Sequence, residues 1–309
     1  MSQLNWTEAQ WNRVNSAITE EFTKASVAGA CLPCYGPLGA SMEAVSKQQL
    51  KPNTGNPSII KVSDNETTPF WTIRTYVHLN SQQVADENLS SALFAFKRAA
   101  NMLARAEDRL VFVGIEGARP PRPLNIPGGG GSVPISDELK NVIGNEEHFF
   151  SPGLLTAHEP NKGHLTIAAR QIKDKDGNVT RNDYGEELVT KIATAIGLLE
   201  KAGYPGPFAC VLGQNAFIEA HRPNPGSLVL PADRITPMLG GPLLRSGSML
   251  DNYGVVASSC GESLDIVVAT PPKAQFLNVN DEAKYVFRVY ERFVLRIKDL
   301  NAVVSIGLS

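Results

Sequence analysis

The first residues in this chain whose type and spacing could do chemistry are Cys31 and Cys34, a C-x-x-C pair in the stretch Gly29–Gly39, GACLPCYGPLG. Such a pair exchanges electrons when it opens a helix directly after a strand, because the helix dipole then lowers a thiol pKa. Here it follows a helical pattern and runs into Tyr35-Gly36-Pro37, a turn-rich exit. Tetrahedral zinc needs a second ligand pair close by, and Cys210 and Cys260 are singletons with no histidine at ligand spacing. The expectation is therefore packing thiols, with no metal and no cofactor.

Other chemical signals fail on spacing. His158-Glu159 and His164 form H-E-x-x-x-x-H, and Pro160 breaks the helix a zinc protease needs. Asp174, Asp176 and Asn178 occupy calcium-loop positions, but Val179 stands where glycine is required and Gly185 where the last glutamate belongs, so a hairpin turn is expected. Gly128–Ser132 lacks the lysine of a phosphate loop, and no G-x-S-x-G elbow occurs. Glu107 and Asp108 could act as acid and base. Glu107 falls on the apolar stripe of a long helix, and it is expected to meet an arginine across a strand or subunit interface. No catalytic constellation forms, and the chain is expected not to be an enzyme.

The elements that carry these residues are better marked. In 309 residues, 42% are hydrophobic and 19% charged, enough for one large or two ordinary domains. A net charge of −2 gives no basic excess for phosphates, so nucleic acid is not an expected partner. The start MSQLNWTEAQW has no apolar leader core, and no apolar run approaches the ~18 residues of a membrane span. With four cysteines, a reducing, cytoplasmic setting is expected.

Thr7 and Gln10 predict a capping box, followed by Trp11, Val14, Ile18, Phe22 and Ala25 on one helical stripe. Residues 48–69 are polar and predict a projecting loop or hairpin; Phe70–Leu79 alternates as a strand. The strongest helix runs from Leu89 to Val113, capped by Ser90 or Ser91 and ended by Gly114, about 36 Å long. Residues 118–183 read as an insertion with two strands around Asp176-Gly177. Leu188, Ile192, Ile196 and Leu199 stripe another helix. Short strands follow at 208–213, at 253–258 and from Leu264 to Thr270. Tyr285–Lys298 alternates, with Tyr285, Phe287, Val289, Phe293, Leu295 and Ile297 on one face and Arg288, Arg292, Arg296 and Lys298 on the other. The fold class is α+β.

The stretches LNWTEAQWNRVNSAITEEF, YGPLG, RAEDRLVFVG, EKAGYPGPFACVLG and YVFRVYERFVLRIKDLNAVVSIGL occur in this order over residues 4–117 and 184–309. In that order and spacing the chain resembles the encapsulin shell proteins, the linocin-type family. The resemblance implies the tailed-phage major capsid protein fold. It places an N-terminal helix and arm at 1–47, an extended loop at 48–74, a peripheral domain with the long helix at 75–117, an insertion at 118–183, an axial domain at 184–283, and the peripheral return strands at 284–309. It implies a homo-oligomer closed into an icosahedral shell in the cytoplasm, holding a cargo enzyme, a peroxidase or ferritin-like iron oxidase, by its C-terminal targeting peptide. The cargo groove would include Phe22, Ala30, Cys31, Pro33, Ile297 and Val304, and a pore loop His221, Arg222 and Asn224. One arginine per subunit there would favour small anions. Asn80-Ser81-Gln82 stand where flavin-binding relatives carry a tryptophan, so no flavin is expected. Two alternatives stay open: a viral or prophage capsid protein packaging DNA, and a thiol oxidoreductase or protease using Cys31 and Cys34.

Overall fold

The computed structural model describes residues 4–52, 60–116, 141–143, 150–157, 164–168, 170–173, 179–223, 229–259 and 263–309. Asn224, Cys260, the 158–163 part of the histidine motif, and the calcium-like residues at 174 and 176–178 lie outside them.

The N-terminal helix is Glu8–Ala25, and both halves of the capping box form: Gln10 N–H donates to Thr7 Oγ1 at 3.3 Å, and Thr7 N–H to Gln10 Oε1 at 2.9 Å. Val14, Ile18 and Phe22 are buried, with Trp11 packed beside them. Trp6, just before the helix, stacks on Phe287 with ring centres 4.9 Å apart and donates its indole N–H to the Val84 carbonyl at 3.0 Å. The helix thus docks on its own chain. The expected turn after it is instead a four-residue helix, Ala28–Cys31, and a short strand, Cys34–Tyr35.

The long helix is Ser90–Phe112, and Gly114 turns out of it at φ +76°. Neither Ser90 nor Ser91 caps it. Leu89 holds the N-cap position at φ +50°, and the Asp86 carboxylate accepts from Asn88 N–H and Ser90 N–H at 3.0 and 2.9 Å. A carboxylate lying outside the helix reaches the orphan amides better than a serine wound into its first turn.

Two sheets organise the rest. The first has the order Cys34–Tyr35, Leu264–Val279, Tyr285–Ile297, Trp71–Leu79, with the long helix against it. The strand from Leu264 does not stop at Thr270. It runs on through Pro271-Pro272, where the ladder to Tyr285–Ile297 slips between Thr270 and Lys273, since prolines have no N–H to give. The second sheet has the order Leu243–Arg245, Phe208–Leu212, Tyr253–Ser258, Val303–Leu308, His164–Ile167. Helices Gly185–Lys201, Gln214–Ala220 and Pro231–Leu239 cover one of its faces, burying Leu188, Ile192, Leu199 and Ile235 against Phe208, Cys210, Leu212, Val256 and Val304. Its other face, through Ala209, Val211, Val255, Ala257 and Val303, belongs to the first core.

These sheets divide the chain otherwise than at residue 283. Leu264–Val279, expected with 184–283, pairs with Tyr285–Ile297; Val303–Leu308, expected with the return strands, pairs with Tyr253–Ser258. The crossing is made by the short turn Leu300–Ala302, which sequence alternation cannot register. Within 118–183, His164–Ile167 is a strand of the second sheet, and Arg170–Lys173 pairs with Val179–Asp183 as the expected hairpin. The projecting segment is a ribbon: Ala44–Ser46 pairs with Thr67–Pro69, and Gln49–Pro52 with Ile60–Ser63.

Candidate functional site: a groove beside the C-x-x-C segment

Where the short strand Cys34–Tyr35 adds to the first sheet, a groove of about 320 Å³ opens, lined by Pro33, Cys34, Tyr35, Gln48, Asp265, Arg296 and Lys298. Cys34 and Tyr35 pair in parallel with Ile266 and Val267, which fixes this wall to the sheet edge. Leu50 N–H donates to the Lys298 carbonyl at 2.8 Å, so the root of the ribbon forms the lip. Arg296 grips Asp265 with two hydrogen bonds of 2.9 and 2.6 Å, Lys298 reaches the same carboxylate at 3.1 Å, and the Arg296 guanidinium lies 5.4 Å from the Tyr35 ring centre. Two cations on one anion leave the groove one positive charge in excess. Alternation assigns Arg296 to a polar face; in the structure that residue is 7% exposed. The missed signal was Asp265 at the matching register on the neighbouring strand.

Of the residues expected in a cargo groove, Pro33 lines it and Ala30 is exposed close by in sequence. Phe22 and Cys31 are buried beneath, in the first core, and Ile297 packs at its margin between the two lining residues Arg296 and Lys298. Val304 is not brought to this place: its side chain is buried in the second core.

Beneath the groove lies a carboxyl cluster. Asp108 accepts Val27 N–H at 3.0 Å and Ala28 N–H at 2.8 Å, and Gly29 N–H donates to Ser26 Oγ at 2.9 Å. Ser26 in turn hydrogen-bonds Glu107. The link between the N-terminal helix and the C-x-x-C segment therefore hangs on two adjacent acids of the long helix. Burial pushes Asp108 up to about 7 against the pull of its two backbone donors. Glu107 does not meet an arginine among the groups that set its acidity. Burial first, then the charges of Glu291 and Asp108, hold it well above the usual carboxylate range, and burial does the same to Glu291.

The thiols are not activated. Cys31 donates its S–H to the Ala28 carbonyl at 3.3 Å, and burial pushes its pKa far up, with Asp108 and Glu107 adding to the effect. Cys34 is raised by burial and by Glu107, and Cys210 is pushed up to about 12 by burial. A nucleophilic or redox thiol needs the opposite shift. Among the described residues no group of three or more His, Cys, Asp or Glu side chains could hold a metal ion, and no helix is long and apolar enough to cross a membrane.

In the segment expected to line a pore, the His221 ring lies tilted against Phe217 with ring centres 4.1 Å apart, and Arg222 pairs with Glu219 at 2.6 Å. The expected positive charge is thus matched by a carboxylate within each subunit, which removes the basis for a ring of unpaired arginines.

Comparison with known proteins decides the family. A family model described as an encapsulating protein for peroxidase matches residues 2–121 and 170–294. The chain belongs to the encapsulin family. Among relatives of this encapsulin is the type 1 encapsulin shell protein EncA of Myxococcus xanthus, 24% identical over 97% of this chain and 92% of the relative. A diheme-cytochrome-encapsulin shell fusion protein of Kuenenia stuttgartiensis is 21% identical over 99% of this chain and 74% of the relative. Among solved structures, the virus-like particle from Pyrococcus furiosus superposes with a TM-score of 0.63 at 14% identity, covering 97% of this chain and all of that one. The capsid of Myoviridae phage XM1 gives 0.54 at 15% identity over 92% of each chain. The encapsulin therefore has the capsid-type fold and is a shell protein, assembling with copies of itself.

Proposed function

We propose that this shell encloses an enzyme, a peroxidase or a ferritin-like iron oxidase, in the cytoplasm, and that the enclosed enzyme supplies the catalysis. The observation that carries this is membership, over most of the chain, of a family described by the encapsulation of a peroxidase. The docking place is the groove between Cys34–Tyr35 and Arg296–Lys298. Cys34–Tyr35 ends its sheet among the described residues, so an extended C-terminal peptide can add there as a strand while side chains enter the groove. The raised thiol pKa values speak against Cys31 and Cys34 as the working chemistry.

The test is negative-stain electron microscopy of the chain expressed alone, then together with a candidate peroxidase that keeps or lacks its C-terminal tail. Hollow spheres from the chain alone, filled only when the tail is present, are the expected result. Monodisperse monomers or dimers would sink the shell reading, and equal filling without the tail would sink the docking reading.

A further inference from the structure

The groove beside Cys34–Tyr35 has a fixed wall, a charged floor and one cation that its own chain only half matches. The wall is tied to the sheet along its length. Ile266 N–H donates to the Pro33 carbonyl at 2.9 Å, and Leu38 N–H and Gly39 N–H donate to the Val268 and Ala269 carbonyls, each at 3.0 Å. The lip is Gln48, which lines the groove at φ +52°, a left-handed backbone that a residue with a side chain seldom adopts. A peptide entering here meets surfaces already in place, so little ordering is left to oppose its binding.

The floor decides what that peptide must carry. Asp265 gives both oxygens to the Arg296 fork, and the Arg296 guanidinium lies 5.4 Å from the Tyr35 ring centre. Lys298 shares only Oδ2 of the same carboxylate, at 3.1 Å, and its side chain is 18% exposed against 7% for Arg296. An ammonium has three N–H donors, and among the described residues Lys298 has no second carboxylate. Nearby charges do not cancel it. Lys47, next to Gln48 on the ribbon, is matched by Glu66 at 3.0 Å. Beneath the wall, Asp108 holds the Val27 and Ala28 amides, and burial keeps Glu107 and Glu291 well above the usual carboxylate range. An apolar tail laid over Lys298 would strip water from a half-paired ammonium and return nothing to it. A carboxylate in that place sets two cations against two anions and forms charge-assisted hydrogen bonds.

We infer that the groove selects its peptide by a carboxylate, and that Lys298 is the specificity-determining residue that reads it. The peptide adds along Cys34–Tyr35 as an extended strand, and one of its acidic groups reaches Lys298 beside the Gln48 lip. The inference rests on this groove being the docking place, and it narrows the enclosed enzyme to one whose tail presents an acidic group there.

The test co-expresses the shell with a monomeric fluorescent protein ending in random octapeptides, purifies the particles and sequences the tails they retain. With wild type, Asp or Glu at one position of the retained tails is expected to rise about tenfold over the starting pool. Lys298→Glu is expected to replace that preference by Lys or Arg, Lys298→Met to abolish it and Lys298→Arg to keep it. If Lys298→Glu does not assemble, the other two variants decide. A second pool, in which a fixed Gly-Ser-Gly-Ser end follows the random stretch, separates the sources of the carboxylate. Acid enrichment in both pools assigns it to a side chain; enrichment in the second alone assigns it, in free-ended tails, to the chain terminus. No acidic preference in either pool, or the same preference with Lys298→Met, overturns the inference. Cys34→Trp, which blocks the wall, judges the docking place by itself. A motif retained equally by that shell lies elsewhere and sinks the groove reading. A motif lost there but unchanged by Lys298→Met leaves the groove standing and sinks only the carboxylate.

Discussion

A guanidinium can stay in this core because Asp265 takes both arms of the Arg296 fork and Lys298 shares the same carboxylate. Bidentate pairing of this kind offsets desolvation only while all partners are present. Arg296→Met should therefore lower stability by about 3 kcal/mol in urea unfolding at neutral pH, most of it the penalty of an under-compensated Asp265. It should also strip the cation from the Tyr35 ring and weaken any acidic peptide in the groove. An unchanged urea midpoint would show that Lys298 suffices as the sole partner.

Among the elements, the ribbon built from residues 44–52 and 60–69 is held at its root by Arg292 as well as by the bond from Leu50 N–H to the Lys298 carbonyl. Arg292 donates to the Ala40 carbonyl at 2.5 Å and the Met42 carbonyl at 2.9 Å, and lies over the Phe70 ring at 5.8 Å. One side chain thus touches the chain on both sides of the ribbon. Arg292→Ala removes two hydrogen bonds worth about 1–3 kcal/mol together, and its main effect is expected in amide exchange: faster at residues 40–46 and 67–70, unchanged in the long helix. Uniform acceleration would mean that the residue supports the whole sheet rather than the ribbon root. The helices were readable from sequence because their stripes and caps are local, as with Thr7, Gln10 and the Leu188–Leu199 series. What was not readable is non-local. Asp86 capping Ser90, Asp108 holding the Val27 and Ala28 amides and Asp265 claiming Arg296 all depend on register or loop geometry. The groove is half visible in sequence: Pro33 is among its expected residues, but alternation puts Arg296 and Lys298, which line it, on the strand face opposite to the expected Ile297.

For the whole molecule, the decisive feature is that the second sheet belongs to two cores at once, giving Val211, Val255 and Val303 to one and Cys210, Val256 and Val304 to the other. Neither core can melt without stripping one face of the shared sheet, so the chain should unfold as one unit. The three tryptophans report on the first core alone, while far-ultraviolet circular dichroism sees helices of both. Denaturant transitions followed by the two probes are expected to coincide; an earlier fluorescence transition would show that the cores separate. Val303–Leu308 lies inside that shared sheet, between Tyr253–Ser258 and His164–Ile167. During synthesis, then, everything made before it waits with an unfilled slot. The subunit can finish its inner surfaces only after residue 308 has left the ribosome, so a nascent chain shorter than that presents its neighbours with an open core rather than a finished building block.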